Sequence, residues 1–164
     1  MQRFLFLALG VSVLSGQGTT QSHPSIQGVW RVLEATVTGP GARTIAFAER
    51  PNLTIITDKH YSRVEVQADG PRPILTDVAA KASADELRAV WGPVVAEAGT
   101  YEATPDLITM RPIASKNPAV MGPGVFITYS YKLEGNTLVI TQQRNQNGSF
   151  SNPFSLKLVR VESR

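Results

Sequence analysis

Gly28-Val-Trp-Arg-Val-Leu-Glu-Ala-Thr-Val-Thr38 is the first stretch of the chain that reads as folded structure. Apolar, β-branched and polar residues take turns along it, the pattern of a half-buried strand. With Trp30 inward, period-two alternation places Val32, Glu34 and Thr36 on the same face. Gly39-Pro-Gly41 ends the strand. The later strands are expected to come back and close on this one.

Upstream, Met1-Gln-Arg3 is a short basic head and Phe4 to Leu14 an apolar run too short to span a bilayer. Small residues follow at Ser15, Gly16 and Gly18. Residues 1–18 therefore read as a cleavable signal peptide, residues 19–25 as a polar lead-in, and 26–162 as the domain. An uncleaved anchor is the alternative. The signal reading implies a secreted or periplasmic protein with no stable membrane insertion after cleavage. The chain has 164 residues and no cysteine, so its single domain holds together by its core without disulfides. The formal charge of +3 includes Arg3, and the basic residues are scattered singly. That excludes the clustered stripe of a nucleic-acid binder.

Downstream, Thr44–Ala48 reads as a short strand, and Leu53–Thr57 and His60–Gln67 as a hairpin across Asp58-Lys59. Ser83-Ala-Asp-Glu86 is a capping box, with Leu87, Val90 and Trp91 at helical spacing behind it. One short helix near 83–91 is expected, ending at Gly92-Pro93 and covering the end or flank of the barrel. Strands follow at Thr100–Ala103, Leu107–Ile113, Val125–Leu133, Thr137–Arg144 and Phe154–Val161, with a Pro/Gly/Asn-rich loop over 115–124. Gly135-Asn136 is a hairpin turn between two alternating runs. About eight strands in sequential hairpins predict an all-β, up-and-down antiparallel barrel.

Gly28-Val-Trp30, placed just after a signal peptide and ahead of a meander, resembles the Gly-x-Trp signature of lipocalins. The chain is closest in kind to bacterial lipocalin-like domains of the calycin group. The resemblance covers residues 26–162 and implies a structural role for Gly28 and Trp30. In that family the tryptophan plugs the closed end of the barrel and a basic residue of the last strand packs over it. Arg160 matches that position. The chain departs from the family in having no disulfide, no clear second motif, and its helix in mid-chain.

Strand parity then nominates an interior. His60, Ser62, Val64 and Val66 would share one inward face; Leu107, Thr109, Arg111 and Ile113 another; Val125, Ile127, Tyr129, Tyr131 and Leu133 a third. Leu138, Ile140, Gln142 and Arg144, then Phe154, Leu156, Leu158 and Arg160, complete the set. Glu34, His60, Arg111, Tyr129, Tyr131 and Gln142 are the candidate ligand-binding residues, with Glu34 and Arg111 as a possible buried ion pair. A bulge would swap the faces of any strand. His60 with Ser62 and Asp58 lacks a nucleophile-elbow motif, so no catalytic residue is assigned. Only two histidines and no cysteine spacing leave no metal site or cofactor to expect. Lys116 is a loop charge that an anionic group could meet, with a solvated side chain as the bland alternative. Asn52-Leu-Thr54 and Asn147-Gly-Ser149 match the glycosylation sequon.

The sequence thus points to an exported lipocalin-like barrel binding a small, mostly apolar molecule with an acidic or hydroxyl head. Two alternatives remain: a barrel enzyme of isomerase or hydrolase type using His60, and a cell-envelope scaffold or interaction protein without ligand. Oligomeric state is open.

Overall fold

β1 (Gly28–Val37) pairs with strands on both sides, and the barrel is built outward from it. The computed structural model describes residues 25–75 and 81–162. The signal-peptide segment and most of the lead-in lie outside them. β2 (Arg43–Ala46) pairs with the second half of β1, and β3 (Asn52–Ile56) with its first half. β3 continues into β4 (His60–Val66), β5 (Val94–Ala103) and β6 (Leu107–Ser115). β7 (Ile127–Glu134) and β8 (Thr137–Asn145) follow, with two-residue β9 (Gly148–Ser149) on the end of β8. β10 (Phe154–Glu162) pairs antiparallel with both β8 and β1 and closes the ring. The result is a closed eight-stranded antiparallel barrel with one short helix, consistent with a lipocalin/calycin-like all-β fold.

The split in pairing along β1 leaves the backbone of Val32 between β2 and β3. Asn52 fills that gap. Its Oδ1 accepts from Val32 N at 2.6 Å, and its Nδ2 donates to the carbonyls of Arg50 at 2.8 Å and Val32 at 3.1 Å. A side chain thus stands in for a missing rung of the ladder. The same bonds occupy the amide of the first sequon, whereas Asn147 stands exposed at a turn.

The helix α1 (Ala84–Trp91) carries the expected capping box: Glu86 N donates to Ser83 Oγ at 3.2 Å, and Ser83 N to Glu86 Oε2 at 2.8 Å. None of its residues is buried and Trp91 is exposed; Val90 and Trp91 line an outer depression with Ala46, Ala48 and Val66, so the helix lies against the flank of the barrel and adds nothing to its core. At its other end Lys116 Nζ donates to the carbonyls of Trp91, Gly92 and Val94. Lys116 is therefore neither free in solvent nor waiting for an anion; it satisfies orphan carbonyls at a helix C-terminus. β5 begins at Val94 and not at Thr100, directly behind Gly92-Pro93.

Two faces, on β4 and β6, are largely the reverse of the expected ones, and bulges break the parity of two more strands. On β4 Tyr61 and Glu65 are buried, with Arg63 beside them, while His60, Ser62 and Val64 are exposed; Val66, expected inward, is buried. On β6 Ile108 and Met110 are buried while Leu107, Arg111 and Ile113 are exposed. β1 keeps Trp30 and Val32 inside, but its register against β10 shifts between Val32 and Glu34. That bulge turns Ala35 inward and puts Glu34 on the outer face. A bulge opposite Tyr129 in β8 likewise leaves Gln142 buried and Arg144 exposed.

Candidate functional site

The interior has two unlike halves. At one end, Trp30, Val32, Ile56, Ile108, Leu138 and Leu158 are packed solid. Trp30 is fully buried and donates from Nε1 to Ile26 O at 2.8 Å. The Arg160 guanidinium lies 4.1 Å from the Trp30 ring centroid, a cation–π stack. It also donates to the carbonyls of Gln27 and Ser25, the latter at 2.7 Å, and so ties the last strand to the segment before the first. Gly28 has φ +138°, and a Cβ there would stand 2.6 Å from Arg160 Nη1. The glycine makes room for the arginine that covers the tryptophan. These three residues act as a structural plug.

The other half is hollow. A cavity of about 660 Å³ is lined by Val37, Ile45, Phe47, Phe154 and Leu156 on its apolar side and by Arg63 and Glu65 on its polar side. It reaches solvent past Arg43 and the exposed Asp69. A second cavity of about 560 Å³ meets it at Arg63, Val95 and Phe154, and is lined by Glu97, Tyr129, Gln142 and Ile127 among others. Volumes of this size accommodate a small organic ligand.

One polar cluster stands where the two cavities meet. Arg63 on β4 lies directly opposite Glu97 on β5, with Nε 3.0 Å from Oε1, an ion-pair contact without the alignment of a hydrogen bond. Glu65, two residues along, has Oε1 3.7 Å from Arg63 Nη1. The side chains of Arg63, Glu65 and Glu97 are only 14%, 4% and 9% exposed. Tyr61 donates its hydroxyl to Glu97 at 3.4 Å. Tyr129 sits opposite Gln142 and shares a side-chain hydrogen bond with it. Burial opposes the Arg63 charge, but Tyr129, Glu97 and Glu65 around it outweigh burial and hold the proton more tightly than usual. Burial, reinforced by Glu97, pushes the Tyr61 phenol well above its ordinary range. Burial also raises Tyr129, against the opposing pull of Arg63.

Of the residues nominated from sequence, Tyr129 and Gln142 belong to this cluster. Tyr131 is inward but lower, and donates to Thr104 O at 2.9 Å. Glu34 faces out, 4.0 Å from Lys157. Arg111 faces out beside Glu102 at 3.7 Å and near the Phe126 ring. The expected Glu34–Arg111 pair therefore does not form. His60 lies on the outer face, in a shallow depression with Ile55, Ser62 and Ile113, on the opposite side of the wall from the buried Tyr129. The enzyme reading with His60 as base is not assembled in this geometry.

Sequence reasoning missed Tyr61, Arg63, Glu65 and Glu97. Parity on His60–Val66 was set by Val64 and Val66, and burying a valine contributes about 2 kcal/mol. The fold instead buries the polar face of the strand. Glu97 lies on the part of β5 that precedes the Thr100–Ala103 segment marked by the sequence pattern. The available signal was Arg63-Val-Glu65 next to Tyr61, an aromatic sharing a face with opposite charges. Among the described residues no group of three or more His, Asp or Glu is placed to hold a metal ion. No family model matches the chain, and no curated protein sequence matches it.

Proposed function

We propose that this chain is an exported, lipocalin-like binding protein that holds a small, mostly apolar molecule in the open half of its barrel. One observation carries this reading: the barrel is solid at the Trp30 end and hollow at the other, with apolar walls converging on a buried polar cluster. A protein selected only for stability would gain by filling that space with side chains. It would also gain by turning Val64 in and Arg63 and Glu65 out. The Gly28–Trp30–Arg160 plug supports the family likeness. The basic head and apolar run of residues 3–14 support export.

The test is uptake of Nile red, a neutral dye that brightens in apolar surroundings, by the mature domain and by Ala35→Trp. Ala35 is buried in the cavity wall, so an indole there occupies the space a ligand would take. Saturable binding of one dye per barrel, lost in the variant, is the expected result. Absence of uptake by the folded wild type refutes the reading.

A second reading has its own observation. Leu53, Ile55, Val64 and Ile113 are 41% to 64% exposed on the outer face of β3, β4 and β6. Leu53 pairs with Val64, and Ile55 and Ala98 both flank Ser62, so most of the patch is continuous across strands. Such a patch suits a protein-facing surface of a cell-envelope scaffold. Sedimentation of the purified domain alone, compared with Val64→Lys, tests whether the patch self-associates.

A further inference from the structure

Resting on the barrel-binding reading, the geometry points to a ligand whose polar head is a protonated amine, held by the Glu65 carboxylate in the wall of the first cavity. In the buried cluster, two carboxyl groups, Glu65 and Glu97, share one guanidinium, Arg63. Arg63 faces Glu97, its direct cross-strand neighbour, with Nε 3.0 Å from Oε1 though without a hydrogen bond, and stands 3.7 Å from Glu65. Glu65 Oε1 is buried, has no hydrogen-bond partner, and belongs to a residue in the cavity wall. A buried carboxylate oxygen left without a donor is costly, and a donor arriving with a ligand removes that cost.

Of the other cations of this wall, Arg50 is engaged and Arg43 lies out on the rim. Arg50 pairs with Asp69, donates to Gln67 O at 2.7 Å, and stacks on Phe47 at 4.9 Å. Arg43 belongs to the exposed rim and donates to Gly41 O at 3.4 Å. What the interior lacks is a cationic donor at Glu65. An ammonium group there completes the charge count, with two cations facing two carboxyls. The apolar wall of Ile45, Phe47, Phe154 and Leu156 receives the body of the molecule. An acidic head, which the sequence suggested, would find Arg43 only out at the rim, and deeper in would meet the Glu65 carboxylate beside a guanidinium that already faces Glu97.

The experiment compares three probes of equal chain length, dodecylamine, 1-dodecanol and dodecanoate, as displacers of Nile red. In the wild type dodecylamine should displace the dye at a concentration about ten-fold or more below dodecanol, the worth of a charge-assisted hydrogen bond. Dodecanoate should be the weakest. In Glu65→Gln the amine advantage should fall to about one-fold while dodecanol keeps its affinity. Equal displacement by amine and alcohol in the wild type, or preference for dodecanoate, overturns the inference and leaves the binding barrel standing. An amine preference that survives in a folded Glu65→Gln also overturns it. If that variant does not fold, the wild-type amine-to-alcohol ratio decides alone. Failure of the wild type to take up Nile red at all sinks the barrel-binding reading itself.

Discussion

Replacing Arg63 by Met keeps most of the side-chain volume and removes the only cation within 4 Å of the Glu65 and Glu97 carboxyls among the described residues. Breaking a buried ion pair from one side costs about 3–5 kcal/mol, because the remaining charge is stranded. The three side chains are less than one-sixth exposed, the most open being Arg63 at 14%, so surface screening does little for them. The cavity beside them reaches solvent, which lets water soften the penalty. The low end, about 3 kcal/mol, is therefore expected, or a fall in Tm of about 10 °C for a domain of this size. Urea unfolding of wild type and Arg63→Met near neutral pH measures it. The triple variant Arg63→Met, Glu65→Gln, Glu97→Gln should regain most of the loss. A deficit below about 1 kcal/mol at neutral pH, or a triple variant no more stable than Arg63→Met, would show that the cluster is not an electrostatic unit and would refute the reasoning.

Asn52→Ala leaves the N–H and C=O of Val32 without their partners in the barrel wall, and should cost about 3 kcal/mol by the same unfolding assay. A near-neutral result would mean that water replaces the amide there. Gly28→Ala combines a φ of +138° with a Cβ crowding Arg160, and should lower stability by about 2 kcal/mol. It should leave Nile red uptake at the far end of the barrel unchanged. Tyr61 and Tyr129 are held protonated by burial, with folded values above the unfolded value of about 10. Their contribution is whole below about pH 10 and drains away as pH rises through the raised values. Tyrosinate absorbance should therefore show these two ionising late and together with unfolding; early, reversible ionisation of every tyrosine in a still-folded barrel would contradict their burial.

How far the sequence was legible depended on which force decided each element. The barrel was readable because turns and β-branched runs are local signals, and Ser83 to Glu86 announced the helix start by a two-way hydrogen-bond pattern that the structure contains. Trp30 and Arg160 were readable because the Gly-x-Trp resemblance led to the expectation of a basic residue from the last strand over the tryptophan, and the stack is present. The hollow half was not. Two bulges, after Val32 and opposite Tyr129, reverse the side-chain parity that a period of two assumes. On β4 the choice between faces rests on a partner 34 residues away, since Arg63 goes inward to meet Glu97. Hydrophobic patterning sees Val64 and misses that pairing. Strands that bury their polar face are where local and tertiary preferences disagree, and such disagreement gathers at functional sites.

The bond from Arg160 back to Ser25 and Gln27 spans 135 and 133 residues of chain. One edge of β1 is satisfied early by β2 and β3, but its other edge must wait for β10, the last strand made. Loop closure over that distance is the slow step of folding for such a topology. Until it occurs, β1 offers an unpaired edge and Trp30 lacks its cover. A growing chain therefore carries an open, sticky half-sheet until β10 has emerged, which makes late closure, and not strand formation, the step at which a holding chaperone would do most good.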